Sequence, residues 1–592
     1  MRKAVGLSLI GVMFLALPAL AETPLEVVRA SYFGTAEDDN FEGAAAGEDG
    51  SLYLVGNAGA KIDDLPGRVK PVTFGDECAG SNCGCGFVLK LSKDGGKIRG
   101  YAEFGKGILH ATGIAVTKEA VYVGGFASHG LEPLLKGKGG LIQEYPLRAK
   151  MEDLRKQQEE AEAAGKPRKD PLAGRPWLQR LGAPCVLKLS LDLGTLEGGT
   201  YLEGWEQVYD KKRVCGHVRR DGKRKGYVGR FREFFWQPIN ICPLKSGDVV
   251  VSHDGGYFRN TTDADREKVE AAAKEEKDRK KLLERLGFYD VPDHVSRLSG
   301  DLRKRKWKTE IATPPTDPKV AGKLKNGWYL THFGNPRIHR MRMDSKENLW
   351  VGGWSATLTS NEPWWSPFLW RLDAKTGEPT KRFYEYDPMS GGGNRMGGTV
   401  ADTAVLSVAV EEDDDLLVCL ISDGGNSHMF KGPKGNDGEK MKGPVIGPTL
   451  IFSPCHFWGQ VHRVSWDKYD GLGGAKTGPW AWTIDAAGAP DNHFLALGRW
   501  NHKLPWTEDA WWTDKEAIHP NPNAFLRVVG PDHNTTFWTA IPGVRPFEVV
   551  SVGDKRYVVT GFADGGSAPK KDGLVEAPIG KRDAWFMIVE WE

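Results

Sequence analysis

Short apolar runs separated by polar turns recur along most of the chain, and residues 86–125 show the pattern most clearly. That stretch contains the runs FVLKL, IRGYAEF, GIAV and VYVGG, with Gly-, Asp- and Lys-containing turns between them. Short runs rich in β-branched and aromatic residues, bounded by Gly and Asp, predict β-strands. Four such strands per period, repeated along the chain, predict an all-β protein with the β-propeller fold, in which each period forms one blade.

The runs predict seven blades, each with strands A to D counted outward from the central channel. Blade 5 is the least regular, and its outer strands are predicted at 449–453 and 460–466. The last run, AWFMIVEW, leaves blade 7 one strand short, while LEVVRASYF at residues 25–33 precedes the first A strand. We therefore predict that the N-terminal strand completes blade 7 and closes the ring, because closure removes exposed sheet edges.

The connections between these strands are unequal in length. Turns between A and B and between C and D are short, whereas long insertions are predicted at about 127–184, 204–238, 255–293, 423–448 and 499–523. Two insertions contain helix patterns, at 147–164 and 263–286. In an antiparallel blade the B–C and D–A connections leave at the same end. One face of the propeller, called the insertion face, therefore carries the long loops, and the opposite hairpin face carries the tight turns.

The N-terminus has the pattern of a secretion signal. Arg2 and Lys3 precede an apolar stretch, and an Ala-x-Ala site ends at Ala21. The stretch is too short to span a bilayer, so we expect a secreted or periplasmic protein that does not span the membrane, with a single domain over 22–592. Removing Arg2 and Lys3 cancels the formal net charge of +2, which argues against an electrostatic nucleic-acid binder.

Cysteine content fits that compartment. Eight cysteines, an even number in an oxidising space, predict disulfides whose pairing the sequence leaves open. The candidates are Cys78, Cys83, Cys85, Cys185, Cys215, Cys242, Cys419 and Cys455.

A family resemblance supports the fold prediction. The segment YFGTAEDDNFEGAAAGEDGSLYLVGNAGA at 32–60, followed by GFVLKLSKDGGKIRGYAEFG at 86–105, resembles the bacterial β-propeller repeats called SBBP. The likeness is good over blades 1, 2 and 7, recognisable in blade 4 and eroded elsewhere. It implies a propeller in a secreted or surface protein, and it transfers no catalytic motif.

Two groups of residues are candidates for ligand binding. Polar residues at the starts of the A strands are expected to converge at the channel mouth on the insertion face: Glu42, His110, Asn240, His339, Asp402 and Arg545. They could bind an anionic or hydroxylated ligand, hold a metal through the two histidines, or only solvate the channel. Tryptophans in the insertions, including Trp364, Trp365, Trp511 and Trp512, suit sugar stacking or a protein interface, or equally form small cores beneath loops.

These features favour a monomeric binding protein that recognises a glycan or a protein through its insertion face, and no cofactor is predicted. The alternative is a secreted enzyme with its site at the channel mouth. Such an enzyme would be a polysaccharide hydrolase or lyase, or a quinone-type dehydrogenase.

Overall fold

The computed structural model describes residues 24–62, 65–76, 84–146, 160, 163–164, 183–202, 238–253, 293–311, 337–358, 363–384, 403–410, 414, 416–422, 450–452, 481–500, 506–513, 523–531, 535–564, 568–575 and 577–592. The predicted signal peptide lies outside these residues, as do the two predicted insertion helices apart from residues 160, 163 and 164. No helix within the described ranges is both long and apolar enough to cross a membrane.

The described chain is almost entirely β-structure. The strands of its first half are β1 (Leu25–Phe33), β2 (Asn40–Ala46), β3 (Leu52–Ala58), β4 (Val72–Phe74), β5 (Cys85–Leu91), β6 (Ile98–Phe104), β7 (Leu109–Val116), β8 (Val121–Ala127), β9 (Ala183–Leu189), β10 (Leu196–Tyr201), β11 (Ile241–Pro243), β12 (Val249–His253), β13 (His294–Leu298) and β14 (Arg305–Glu310). One short helix, α1 (Glu132–Leu135), follows β8.

The second half contains β15 (Arg337–Met343), β16 (Asn348–Leu358), β17 (Pro363–Asp373), β18 (Pro379–Tyr384), β19 (Thr403–Val410), β20 (Leu416–Ser422), β21 (Leu450–Phe452), β22 (Ala481–Ala489), β23 (His493–Trp500), β24 (Asn523–Val529), β25 (Thr535–Ile541), β26 (Val544–Ser551), β27 (Arg556–Asp564) and β28 (Arg582–Trp591).

Six of the sheets contain a complete set of four antiparallel strands. They are β2-β3-β5-β6, β7 to β10, β11 to β14, β15 to β18, β22 to β25, and β26-β27-β28-β1, with β4 added in parallel outside β6. In the remaining sheet β19 and β20 are antiparallel, but β21 runs parallel to β20. The described residues thus form six complete blades rather than the predicted seven. The segment predicted as the antiparallel C strand of blade 5 forms β21, which runs parallel to β20 instead.

The innermost strands of successive sheets contact one another in chain order. β2 contacts β7, β7 contacts β11, β11 contacts β15, and the series continues through β19 and β22 to β26, which in turn contacts β2. This arrangement of sheets around a central channel is that of a β-propeller, so the predicted fold class is confirmed.

The N-terminal strand β1 lies along the outer side of the last sheet. It pairs antiparallel with β28 from Leu25 opposite Trp591 to Phe33 opposite Ala584. Phe33 is buried and its ring lies 5.6 Å from that of Phe87 and 5.8 Å from that of Phe41, both in the next sheet. The strand therefore joins the last sheet by hydrogen bonds and the first by aromatic packing.

The long connections lie at one end of the blades. The turns 47–51, 92–97, 117–120 and 190–195 are short A–B or C–D hairpins, whereas the B–C connections after β3, β8, β12 and β23 are long. The connection between β16 and β17, at 359–362, is short. The strand bounds therefore agree with an insertion face and a hairpin face.

Candidate functional site in the central channel

A β-bulge interrupts six of the inner strands at nearly the same level. The residues skipped in the pairing register are Glu42, Thr112, His339, Leu406, Ile484 and Phe547. A bulge places one extra residue on its strand and changes which side chains follow on each side. The residues just after these bulges are Gly43, Gly113, Arg340, Ser407, Asp485 and Glu548, and four of them carry polar side chains.

Two arginines and two carboxylates from three of these strands form one ion cluster. Arg340 Nη1 lies 2.9 Å from Glu548 Oε1, and Arg340 Nη2 lies 3.2 Å from Asp485 Oδ2. Arg342 Nη2 lies 3.2 Å from Glu548 Oε1 and 3.4 Å from Asp485 Oδ2. Each carboxylate thus contacts both guanidinium groups, and the formal charges of the four side chains cancel.

Hydrogen bonds connect this cluster to two further inner strands. The Ser407 hydroxyl of β19 donates to Asp485, which also accepts a bond of 3.0 Å from the backbone N–H of Val549. Glu548 Oε2 accepts a bond of 3.3 Å from the Ala44 N–H of β2. A Cβ at Gly43 would lie 2.7 Å from that same oxygen, so glycine leaves the room that Glu548 occupies.

Arg342 is the member of the cluster with the most exposed side chain. Its exposed fraction is 25%, compared with 11% for Arg340 and Glu548 and 0% for Asp485. Burial acts to lower the pKa of Arg342, but Asp485 and Glu548 raise it above its usual value. Arg342 is therefore held as a fixed cation at the edge of the cluster.

A cavity of about 280 Å³ lies beside this cluster. Five inner strands and the residues before β11 supply its wall: Ala44, Ala45, Ala46, Thr112, Gly113, Ile114, Ala115, Val116, Pro238, Ile239, Asn240, Ile241, Cys242, Pro243, Arg340, Met341, Arg342, Met343, Glu548, Val550 and Ser551. Its charged groups all come from β15 and β26, while β2 and β7 contribute mostly apolar side chains.

The cavity occupies the half of the channel near the hairpin face. Four of its lining residues, Ala46, Val116, Met343 and Ser551, are the last residues of inner strands that run directly into A–B hairpins. The predicted candidates stand mostly at the other ends of those strands. Of the five candidates that belong to the described residues, only Asn240 lines this cavity.

The Asn240 side chain joins two blades. Its Nδ2 donates to Ser252 Oγ at 3.0 Å and to the His339 carbonyl at 3.4 Å, and its Oδ1 accepts from the Met341 N–H at 3.2 Å. The amide is therefore used in holding β11 beside β15.

Glu42 is buried at a bulge and lies outside the cavity lining. Burial raises the pKa of Glu42 to about 8. The hydrogen bond of 2.5 Å from Asn40 opposes this effect, and the carboxylate of Glu548 adds to it. Arg499 acts to lower the pKa of Glu42, and burial lowers the pKa of Arg499 itself to about 9. Glu42 is therefore largely protonated at neutral pH.

The two predicted histidines lie on strands that are not neighbours in the channel. His339 on β15 is buried, and burial together with Arg340 lowers the pKa of its imidazole to about 3, so it is neutral. His110 is half-buried on β7. Within the described part of the chain, no set of three or more His, Cys, Asp or Glu side chains is arranged to hold a metal ion.

Arg545 and Asp402 complete the predicted set. The Arg545 guanidinium lies 5.5 Å from the centre of the Phe562 ring, with Arg582 5.4 Å from the same ring. Burial, and then Arg582, lowers the pKa of Arg545 to about 10. Asp402 lies outside the described residues.

The tryptophans of the 506–513 segment pack along the outer strand of their sheet. The Trp511 ring lies 5.0 Å from Phe537, and the backbone of Trp512 exchanges hydrogen bonds with Thr539 and Ala540 on β25. Both indoles are partly buried against core clusters. For Trp511 and Trp512 this packing corresponds to the small-core alternative. Trp364 and Trp365 belong to β17, but their side chains lie outside the part of the chain that the structure describes.

Four of the disulfide candidates are described, and they lie on four different sheets. No disulfide joins Cys85, Cys185, Cys242 and Cys419 to one another. Cys185 and Cys242 are buried free thiols, and burial raises the pKa of both, to about 11 for Cys242. Neither cysteine is joined to another described cysteine, so the disulfides expected from the sequence stay a prediction. Cys78, Cys83, Cys215 and Cys455 lie outside the described residues.

The cluster residues were not among the sequence candidates, although a signal for them exists. In RIHRMRM two arginines alternate with apolar residues inside a predicted inner strand, and WTID and FEVV each place one carboxylate in another inner strand. A charge in the middle of a predicted inner strand needs a partner. The residues predicted from the sequence lie instead at the strand starts and in the insertions.

Comparisons with known proteins give fold-level likenesses of low similarity. The chain is similar to the quinohemoprotein alcohol dehydrogenase from Comamonas testosteroni, with a TM-score of 0.37, 11% identity, and coverage of 96% of this chain and 76% of that one. It is also similar to an α-L-arabinanase from Penicillium chrysogenum complexed with arabinobiose, with a TM-score of 0.33, 8% identity, and coverage of 96% and 99%. A third is the β-propeller domain of the trilobed protease from Pyrococcus furiosus, with a TM-score of 0.29, 8% identity, and coverage of 89% and 90%. TM-scores this low assign no activity to this chain.

No family model matches the chain, so the resemblance to SBBP repeats stays a prediction. No curated protein matches it either.

Proposed function

We propose that this protein is a secreted or periplasmic β-propeller that binds a small ligand in the cavity of its central channel. The observation that carries the proposal is the cavity of about 280 Å³, with an ion-paired arginine on one wall and apolar residues on the other. Binding sites of small molecules are typically concave and largely apolar, with a few fixed polar groups.

The proposal places the three-stranded β19–β21 sheet in the ring beside the six complete blades. The contacts of β19 with β15 and β22 support that position. It also includes closure of the ring by β1, which the pairing of β1 with β28 supports. Secretion and membership of the SBBP-like repeats belong to the same proposal and rest on the sequence.

The ion cluster would prepare the cavity for a ligand before binding. Because Arg342 shares two carboxylates with Arg340, its guanidinium is held in place, so a ligand does not have to order it. An interaction made with a preordered group loses less conformational entropy on binding.

A thermal-shift screen of residues 22–592 against small metabolites tests the proposal. A ligand that binds only the folded state raises the melting temperature. We expect Ala45→Leu, which places a larger side chain on the cavity wall, to abolish the shift. Ala36→Leu, the same change at an exposed position, should keep it. A ligand shift that survives in Ala45→Leu would place binding elsewhere and overturn the proposal.

The one-sided placement of long connections supports a second candidate, recognition of a glycan or a protein through the insertion face. A longer surface loop costs only about 0.6 kcal/mol per doubling, so neutral drift would place long loops on both faces. A glycan array on the protein tests this reading. Under it, Trp364→Ala with Trp365→Ala should remove binding, while Lys93→Glu with Lys346→Glu on the hairpin face should not.

A further inference from the structure

From the wall of the channel cavity we infer the chemical class of its ligand, a small organic monoanion whose carboxylate pairs with Arg342 and whose apolar body lies against β2 and β7. This inference rests on the proposed function and specifies it further. It depends on three features of the cavity: the unused donors of Arg342, the absence of a second available charge among the described lining residues, and the apolar character of the opposite wall.

The first feature is the hydrogen-bonding capacity left on Arg342. A guanidinium has five N–H donors, and within the described part of the chain Arg342 uses only Nη2 in its hydrogen bonds. The buried polar atoms that lack partners there include Arg340 Nε but no atom of Arg342. Because the Arg342 side chain is 25% exposed and lines the cavity, Nε and Nη1 are available to a ligand.

The second feature is the charge distribution around that guanidinium. Arg340 and Glu548 also line the cavity, but they are bonded to each other at 2.9 Å and are each 11% exposed. Asp485, the other partner of Arg342, is fully buried and does not line the cavity. A ligand therefore meets one partly exposed cation. A single carboxylate matches it, because charge-assisted hydrogen bonds to carboxylates are stronger than neutral ones.

The third feature is the opposite wall. Residues 44–46 are alanines, and Ile114, Ala115 and Val116 of β7 continue the same surface. Thr112, the polar residue among them, is already engaged, since its hydroxyl accepts from the Ile239 N–H at 3.1 Å. A polyhydroxylated ligand would leave hydroxyls unpaired against this wall, which is unfavourable, whereas an alkyl chain gains by burial there.

A pair of isosteric probes tests the inference on the wild-type protein. Hexanoate and hexanamide share their chain and planar head group, but only hexanoate is charged. By isothermal titration calorimetry we expect hexanoate to bind at least about tenfold more tightly than hexanamide, the equivalent of roughly 1.4 kcal/mol. Arg342→Gln should remove that preference, while Arg99→Gln, a change at an exposed arginine on β6, should keep it.

The outcomes separate this inference from the proposed function. Equal or tighter binding of hexanamide, with binding lost in Ala45→Leu, would overturn the anion preference and leave the cavity as the site. Hexanoate binding that persists in Ala45→Leu would contradict both. Absence of hexanoate binding at millimolar concentration would overturn the inference alone, because the metabolite screen judges the proposed function separately. Should Arg342→Gln fail to fold, the comparison of the two probes on the wild type still decides.

Discussion

Arg340 on β15 and Glu548 on β26 lie 2.9 Å apart in the central channel, although 208 residues separate them in the chain. With Arg342 and Asp485 they connect three inner strands, and the bonds from Ser407 and Ala44 extend the connection to five. The same cluster fixes the guanidinium that lines the cavity. Stability of the ring and formation of the candidate site are therefore linked through one set of side chains.

Removal of Arg340 should destabilise the fold strongly. Arg340→Met leaves Asp485 and Glu548 buried with only one guanidinium between them, and breaking a buried ion pair in this way typically costs about 3–5 kcal/mol. Urea unfolding followed by tryptophan fluorescence measures the loss. The exposed pair of Lys93 and Asp554 provides a control, because Lys93→Met should leave the unfolding midpoint unchanged. Similar midpoints for the two variants would show that the cluster is not stabilising.

The N-terminal strand should be required for a stable monomer. A chain that begins at Gly34 lacks β1, exposes the edge of β28 and removes the Phe33 ring from its aromatic cluster. We expect aggregation or a large drop in melting temperature, measured by light scattering and calorimetry. A truncated protein that remains monomeric with an unchanged melting temperature would contradict closure by this strand.

A single substitution separates the packing role of β1 from its pairing role. Phe33→Ala keeps the backbone pairing and removes a fully buried ring, so we expect a loss of about 3–5 kcal/mol in the free energy of unfolding. Glu26→Ala, at an exposed position of the same strand, should be close to neutral. A small effect of Phe33→Ala would show that pairing alone anchors the strand.

Glu42 should make the protein less stable as the pH rises. Its pKa is raised from 4.5 to about 8 in the folded state, so between these values the folded state holds a proton that the unfolded state has released. The stabilisation that comes from this proton is complete below pH 4.5. It falls by about 1.4 kcal/mol per pH unit as the pH rises to 8. Glu42→Gln imitates the protonated carboxyl and keeps the acceptor for Asn40. It should therefore flatten the slope and be more stable than the wild type at pH 8.

The control for this titration is Glu48→Gln, at an exposed glutamate, which should retain the wild-type slope. Unfolding free energies at several values between pH 5 and 8 measure it. A Glu42→Gln protein with the same slope as the wild type would assign the pH dependence to other groups.

Cys185 and Cys242 should remain thiols in the mature protein. Both are buried with raised pKa values, so they should resist alkylation in the native state and react after denaturation without reductant. Peptide mapping by mass spectrometry identifies them. The same map tests whether the cluster of Cys78, Cys83 and Cys85 contributes a disulfide, as the sequence predicts. Either Cys185 or Cys242 in a disulfide would contradict the structure.

The sequence by itself determined the strands and the hairpins between them. Runs such as FVLKL and VYVGG are recognisable as strands from their own residues. Turns such as the one at 92–96 fix their own geometry by bonds within a few residues, including Ser92 Oγ to Asp94 at 2.5 Å. These features depend on neighbours in the chain, so a pattern of apolar and polar positions is sufficient to predict them. The N-terminal strand was likewise recognisable from its composition and its place before the first inner strand.

Only the tertiary structure decided which side chains meet in the channel. A bulge shifts the alternation of side chains by one position, so the strand starts did not predict where Arg340, Asp485 and Glu548 would lie. Their contacts join residues far apart in sequence, and nothing local specifies such partners. The same reason explains the cysteines: an even count is visible in the sequence, but pairing depends on distance, and the fold places Cys185 and Cys242 in separate blades.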